Sequence, residues 1–353
     1  MSIKDAMFFE DCAEKICYMS KASFSEKARL MPPEERAYAE KRLYDELDII
    51  TGNGFSYEFY IFKTVIDHSI KEKRFTVIGG QAAYSYVAYL LGITSLDPVR
   101  RDYPLEMAFD YYHDRSPCMF VYTSPDYRKE LSVFLETLFG AGMVTCRDNY
   151  IILGDRSDIE DHMTDNTIWI PVFTWRLFSE VQEIIDSSDE PFEKMREMIL
   201  RPSFPAEEYM DGTLDPEILK HYAAEESPYE GEDYSVVLDG TYKGLLRALA
   251  VINGAGLIRA GLRDDNGKLI CTRDDFYRYG LELLGPEKKA FDFMTRNRKG
   301  QARNEYFRER LADMGVPDDV ISQLKNVRYV VSEGSLIPIA QIILFLSSGR
   351  RNP

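Results

Sequence analysis

The chain has 353 residues, 45% of them hydrophobic, and its 59 acidic and 43 basic residues give a net charge of −16. This length and apolar content suffice for one large or two ordinary domains with a proper hydrophobic core. Proteins that grip a nucleic-acid backbone concentrate Lys and Arg where the phosphates lie. So acidic a balance argues against strong duplex binding, and we expect nucleic-acid binding to be weak or absent.

The cysteines, the histidines and the apolar runs exclude three further classes of protein. The 5 cysteines lack paired Cys-x-x-Cys spacing and the 4 histidines are scattered, which argues against a disulfide framework and a zinc site. The longest apolar run, residues 336–346, is too short to cross a bilayer. We therefore expect a cytoplasmic protein with reduced thiols, no membrane span and no bound metal.

The first informative stretch, residues 74–98, reads RFTVIGGQAAYSYVAYLLGITSLDP. An apolar run meets a turn at Gly79 and Gly80 and continues with small and aromatic residues at helical spacing, which predicts a strand, a tight turn and a helix. The exposed N–H groups at the N-terminus of that helix, where the helix dipole is positive, would form a binding site for a phosphate. A plain glycine turn between packed elements is the alternative, since short glycine motifs are weak signals.

Four further segments, in order along the chain, support a family resemblance. They are AEKRLYDELDIITGNGFSYEFYIFKTVIDHSIKEKRF at 39–75, GITSLDP at 92–98, TRDDFYRYGLELLGPEKKAFDFMTRNRKG at 272–300 and GVPDDVISQLKNVRY at 315–329. With the glycine turn, they resemble the palm and fingers of the bacterial DNA polymerase III α subunit, the PolC type in particular. The resemblance implies an α+β fold, in which a nucleotidyltransferase-like palm of mixed sheet and helices precedes a helical fingers region.

The family's catalytic aspartates are missing where the resemblance would place them. In the family, two aspartates on one strand and a third at the start of a later helix hold two Mg²⁺ ions. The matching positions here are Cys118, Phe120 and Pro171. Because Mg²⁺ demands hard oxygen ligands, we expect no catalytic residue and no metal site at these positions. A nucleophilic Cys118 is the less favoured alternative.

Other parts of the family's machinery are reduced as well. The family's thumb would lie between Cys118 and Pro171, an interval too short here to hold it, so we expect a truncated thumb. Residual nucleotide binding would fall on the glycine turn and on the basic pair that faces the triphosphate in the family; these residues are Gly79, Gly80, Gln81, Arg298 and Lys299. A basic helix end that relieves its own dipole is an equal alternative for the pair. Glu333 stands where the family has a lysine, which would repel a phosphate.

These observations predict three regions and a function. We expect a palm-like domain with most of its thumb deleted at 1–186, an acidic connector at 187–239 and a helical fingers-like region at 240–353. The predicted function is that of a catalytically inactive polymerase-like protein in bacterial replication or repair, which acts through protein partners and needs no cofactor.

Two alternatives leave the enzyme question open. A metal site rebuilt from nearby acids would restore a Mg²⁺-dependent DNA polymerase or nucleotidyltransferase; its ligands would be Asp110, Asp114 and Asp126. Residual binding of a nucleotide or of a single strand is the other alternative.

Overall fold

The computed structural model describes residues 9–111, 115–140, 142–154, 167–200, 214–226 and 232–349. The chain divides into two compact units, Met1–Pro202 and Ser203–Pro353. The domain boundaries expected from the sequence stay predictions. No helix within the described ranges is both long and apolar enough to cross a membrane.

The first unit contains a five-stranded mixed sheet. Its strands are β1 Val77–Gly80, β2 Met119–Thr123, β3 Val144–Arg147, β4 Tyr150–Leu153 and β5 Ile168–Thr174. They lie in the order β1-β2-β5-β4-β3, and only β2 and β5 pair in parallel. With the helices around it, this sheet confirms the expected α+β class.

Eight helices of the described residues accompany this sheet. They are α1 Phe9–Lys27, α2 Pro33–Gly52, α3 Ser56–Lys71, α4 Tyr86–Leu90, α5 Glu106–Phe109, α6 Pro125–Phe139, α7 Arg176–Ser187 and α8 Phe192–Ile199. The start of α6 is stabilised by its capping residues. The Ser124 side chain accepts a hydrogen bond from the backbone N–H of Tyr127, and Pro125 occupies the first turn. The helix expected after the glycine turn is split into a 3-10 turn, Gln81–Tyr84, and the five-residue α4.

The second unit is helical in its described residues. Its helices are α9 Pro216–Glu226, α10 Tyr242–Asn253, α11 Leu257–Ala260, α12 Arg273–Leu284, α13 Glu287–Asn297, α14 Glu305–Asp313, α15 Asp318–Leu324 and α16 Glu333–Gly349. The apolar run noted in the sequence lies in α16, whose side chains are buried over most of its length, as a core helix requires. Helix α12 begins after Thr272, where Thr272 and Asp275 form a reciprocal capping box.

The two faces of the sheet differ in burial. Successive residues of a strand point to opposite faces, and one face is packed to exclude water, with Val121, Ile151, Ile170 and Val172 all fully buried. Helix α6 lies on that side, where the Ser132 hydroxyl contacts the Cys146 thiol at 3.1 Å. The core of the first unit is therefore built largely on this face. The opposite face is packed in part as well, because Tyr122 and Ile152 lie on it and are both buried.

Candidate functional site

The two glycines of the turn are required by the strand beside them. Gly79 pairs with Phe120 and Gly80 with Met119 in the antiparallel ladder between β1 and β2. A methyl group on Gly79 would overlap the Tyr122 ring, and one on Gly80 would overlap the Cys118 carbonyl. Gly80 also has a φ of 80°, which favours glycine. Close packing against β2 therefore explains both glycines without a ligand.

Gln81 uses its side chain to tie three segments together. Its Oε1 accepts a hydrogen bond from the backbone N–H of Cys118 at 2.8 Å, and its Nε2 donates to the carbonyl of Ala108 at 3.0 Å. Its own backbone N–H donates to the Cys118 carbonyl at 2.8 Å. The amide thus fixes the entry to β2 against the end of α5. A nucleotide role for Gly79, Gly80 and Gln81 stays a prediction.

The start of α4 is occupied by a carboxylate of the chain itself. The N–H groups of Tyr86 and Val87 donate to Glu46 at 2.8 and 2.9 Å, and the Ser85 hydroxyl donates to it at 2.6 Å. Glu46 is fully buried and forms an ion pair at 2.6 Å with Arg42, which is also buried. The expectation that exposed N–H groups bind a phosphate here is wrong, because these N–H groups already donate hydrogen bonds to the Glu46 carboxylate.

Arg42 extends this buried network to two loops. Its two terminal nitrogens donate to the carbonyls of Tyr84 and Tyr103, each at 2.8 Å. Each of the three guanidinium nitrogens therefore has an oxygen partner, as a buried guanidinium requires. The network holds the segment after the glycine turn in a fixed position on α2.

The positions aligned with the metal-binding aspartates adjoin in the sheet. Strand β2 pairs in parallel with β5, with Val121 opposite Val172. Phe120 and Pro171, each one residue earlier, therefore stand at neighbouring positions on adjacent strands. Cys118 lies just before β2 and is exposed. A phenyl ring, a pyrrolidine ring and a thiol supply none of the hard oxygen ligands that Mg²⁺ needs, so these residues do not fit the ion.

Aromatic side chains cover the sheet around these positions. The side-chain alternation and the pairing registers put them on one face, which we call the aromatic face; its residues are Phe120, Tyr122, Tyr150, Trp169, Phe173 and Trp175. Ring centroids are 5.7 Å apart for Phe120 and Phe173, 4.6 Å for Tyr122 and Trp175, and 5.4 Å for Tyr150 and Trp169. The rings give this part of the sheet a surface of low polarity.

The alternative acids do not form a metal centre in the described part of the chain. Asp110 follows α5 with a φ of 55°, and Asp126 lies exposed in the first turn of α6. Asp114 lies outside the described residues. Among the residues that are described, no group of three His, Cys, Asp or Glu side chains could hold a metal ion.

The basic pair of the second unit ends a helix. Arg298 caps α13, its carbonyl accepts a hydrogen bond from Val330 at 3.0 Å, and Lys299 is exposed. This position fits the alternative of a basic helix end, and a nucleotide role for Arg298 and Lys299 stays a prediction. The glycine turn belongs to the first unit and this pair to the second.

Glu333 is neutralised within the second unit. Its carboxylate pairs with Lys243, whose Nζ also lies 3.1 Å from Asp275. Burial tends to raise the pKa of Asp275, but the charges of Lys243 and Arg247 and the hydrogen bonds it accepts hold that pKa below its usual value. Glu333 is therefore part of a buried ion cluster.

Sequence reasoning missed two sets of residues. Arg42 and Glu46 stand four apart on α2, a spacing that signals a helical ion pair but not its burial. The segment Trp169, Pro171, Phe173 and Trp175 alternates with period two, a pattern that predicts one shared strand face. The aromatic face could have been predicted from that alternation.

Two comparisons with known proteins agree with this fold and its sequence motifs. Residues 15–165 match the sequence model of the bacterial DNA polymerase III alpha NTPase domain. A 123-residue stretch is 28% identical to an error-prone DNA polymerase of Cutibacterium acnes, and it covers 35% of this chain and 11% of that polymerase. Over residues 15–165, less than half of its length, the chain is therefore similar to the NTPase domain of the bacterial DNA polymerase III α subunit. The matched family region ends before Pro171 and before the fingers-like segments, so the PolC type and the fingers stay predictions.

Proposed function

We propose that the chain is a palm-derived protein of the DNA polymerase III α family that has lost two-metal catalysis and acts through protein partners in the bacterial cytoplasm. On this proposal, the first unit is a nucleotidyltransferase-like palm with a truncated thumb, and the second is a fingers-like region. A setting in replication or repair follows from the family relationship alone.

The observation that best supports the proposal is the pairing of Phe120 beside Pro171 within the aromatic face. Two-metal phosphoryl transfer needs anionic oxygens that hold two ions about 4 Å apart. Aromatic and aliphatic rings at these positions lower the local polarity, which makes a bare divalent ion more costly to bind. On this proposal, these residues keep the sheet packed while two-metal chemistry is lost.

Two further features point the same way. The N-terminus of α4 is occupied by Glu46, which already accepts the hydrogen bonds that those N–H groups would give to a second anion. Glu333, at the position of a family lysine, is held in an ion cluster with Lys243. Both changes remove places where a triphosphate would otherwise find a positive partner.

A primer-extension assay tests the proposal. The purified full chain is incubated with a primer-template, deoxynucleoside triphosphates and either Mg²⁺ or Mn²⁺. We expect no extension product with either ion. Metal-dependent extension that disappears in an Asp110→Asn or Asp126→Asn variant would instead support a rebuilt metal site and would overturn the proposal.

A further inference from the structure

The first unit contains a small pocket beside α8 that the proposed function does not use. Its volume is about 220 Å³. The pocket is lined by Ile70, Ser95, Glu193, Arg196, Glu197 and Leu200, all of which belong to the first unit. Pockets that hold drug-sized ligands usually measure about 300–1,000 Å³. This pocket therefore suits a smaller molecule, of the size of an amino acid.

One side of α8 supplies most of the lining. Glu193, Arg196 and Glu197 lie on the helix and Leu200 follows directly after it. Their spacing of i, i+3, i+4 and i+7 places the side chains on one helix face. The remaining walls come from the end of α3 and from the loop after α4. Three separate segments of the chain therefore build the pocket, which exists only in the folded unit.

Arg196 is the unusual residue of this pocket. Its Nε is buried and has no hydrogen-bond partner among the described residues. Burial lowers the pKa of the guanidinium, because surroundings of low polarity disfavour its charged form. An arginine nonetheless stays charged in a protein, so the pocket contains a cation that the chain itself does not satisfy. Buried polar groups are nearly always hydrogen-bonded, and exceptions are expected at functional sites.

A second arginine of the same unit shows the contrast. Each of the three nitrogens of Arg42 donates to an oxygen of the chain. The carboxylates closest to Arg196 along its own helix, those of Glu193 and Glu197, are exposed and do not accept a bond from its Nε. An acceptor from outside the chain would complete this guanidinium, whose fixed fork of N–H groups matches a carboxylate.

The other lining groups select the class of ligand. The exposed carboxylates of Glu193 and Glu197 repel a ligand with several negative charges, such as a phosphate, and attract an ammonium group. Ile70 and the buried Leu200 provide apolar walls. A ligand that matches all of these groups carries one carboxylate for Arg196, one ammonium group and an apolar body.

We propose that this pocket binds a free α-amino acid with an apolar side chain. The carboxylate of the ligand accepts hydrogen bonds from Arg196, and its ammonium group pairs with Glu193 or Glu197. The Ser95 hydroxyl can donate or accept one further hydrogen bond. The pocket shares no lining residue with the positions aligned with the metal ligands, so amino-acid binding is independent of the proposed function.

Calorimetry with defined probes tests this proposal. The full chain is titrated with L-leucine, L-valine, L-methionine and inorganic phosphate. We expect at least one amino acid to bind, and to bind more tightly than phosphate. The tightest ligand is then compared with its analogues that lack the amino group or the carboxylate. Each analogue should bind roughly tenfold more weakly or worse, because each loses one charged contact.

Variants of α8 assign the contacts. Arg196→Met should weaken amino-acid binding by roughly tenfold or more. The matched control is Lys194→Met, which removes an exposed cation of the same helix and should bind as the parent does. A Glu193→Gln/Glu197→Gln double variant should bind the amino acid more weakly. It should bind the analogue without an amino group more tightly, because the repulsion of its carboxylate is removed.

The stability of Arg196→Met separates a binding role from a structural one. Removing a cation that has no partner should leave the urea midpoint of the variant equal to that of the parent or higher, since an unpaired buried charge destabilises the fold. A lower midpoint would show that Arg196 has a stabilising partner within the chain, and would overturn the proposal even if binding were lost.

Five binding results would also overturn the proposal. They are no heat with any of the amino acids, tighter binding of phosphate than of the amino acids, equal affinity of Arg196→Met and the parent, an equal loss in Lys194→Met, and unchanged amino-acid affinity in the double glutamine variant. The second would assign the pocket to a free phosphate. Primer extension is scored separately, because activity in that assay overturns only the proposed function.

Discussion

The Glu46 carboxylate accepts a hydrogen bond from the backbone N–H of Tyr86 at 2.8 Å, although the two residues are 40 positions apart. This contact places an internal anion at the helix end where the glycine motif had predicted a phosphate. It also explains why the segment after the turn keeps its shape without a ligand, because Arg42 neutralises the same carboxylate.

Replacing Glu46 with Gln should strongly destabilise the first unit. The change leaves the buried Arg42 charge without its partner, and breaking a buried ion pair in this way costs about 3–5 kcal/mol. The matched control is Asp45→Asn, which breaks an exposed pair with Lys41 and should cost less than about 1 kcal/mol. Urea denaturation of both variants measures the difference; equal losses would contradict a structural role for the buried pair.

Alanine at Gly80 should lower the free energy of unfolding by about 1–3 kcal/mol, the usual range for overpacking. The added methyl group overlaps the Cys118 carbonyl, and alanine is strained at a φ of 80°. Gly52→Ala at the end of α2 is the control, since nothing lies within 4 Å of the new methyl group. That variant should be neutral or slightly more stable. Thermal denaturation compares the two, and a harmless Gly80→Ala would show that β2 does not require the glycine.

The stability of the first unit should depend on pH through His68. Burial lowers the pKa of His68 in the folded chain, against the opposing charges of Glu72 and Glu130. Its Nδ1 lies 2.7 Å from the Tyr127 hydroxyl and its ring stacks on Phe134.

The sign of this dependence follows from proton binding. The unfolded chain takes up a proton near the ordinary histidine pKa, about 6.5, while the folded chain resists it to a lower pH. The contribution is therefore fully present above pH 6.5 or so and is lost as pH falls toward the lowered folded pKa. Urea denaturation at a series of pH values should show this loss, and His68→Gln should remove it. An unchanged pH profile in that variant would contradict the assignment.

Lys243→Met should destabilise the second unit by about 3–5 kcal/mol, because Asp275 and Glu333 would be left buried without their common cation. Lys220→Met is the control, since Lys220 forms an exposed pair with Glu217 and should contribute less than about 1 kcal/mol. Chemical denaturation of the full chain resolves the two outcomes. Comparable stability of both variants would show that the cluster is not a structural anchor.

Much of the local structure could be predicted from the sequence, because it depends on near neighbours. The capping box at Thr272 follows from a short pattern of helix-capping residues, and β4 follows from the apolar run of residues 151–153. The α+β class was instead implied by the family resemblance. The alternation from Trp169 to Trp175 carries a signal of the same kind, since it matches the period of a strand.

The candidate site depended on pairings between distant residues. No local pattern brings Glu46 to Tyr86, because that contact joins α2 to a turn that is held by tertiary packing. The neighbouring positions of Phe120 and Pro171 depend on a parallel pairing between strands that lie far apart in sequence. Such pairings are set by the whole fold. The sequence alone therefore indicated which residues align with the family's metal ligands, but not what surface they would form.

The most direct test of the central claim is a calorimetric titration of the full chain with a deoxynucleoside triphosphate, with and without Mg²⁺ and a primer-template. If rings have replaced the metal ligands at Phe120 and Pro171, the heat of binding should be the same with and without Mg²⁺, whether or not the primer-template is present. Metal-dependent binding of the triphosphate would show that an oxygen-rich site exists in the chain and would contradict the loss of two-metal chemistry.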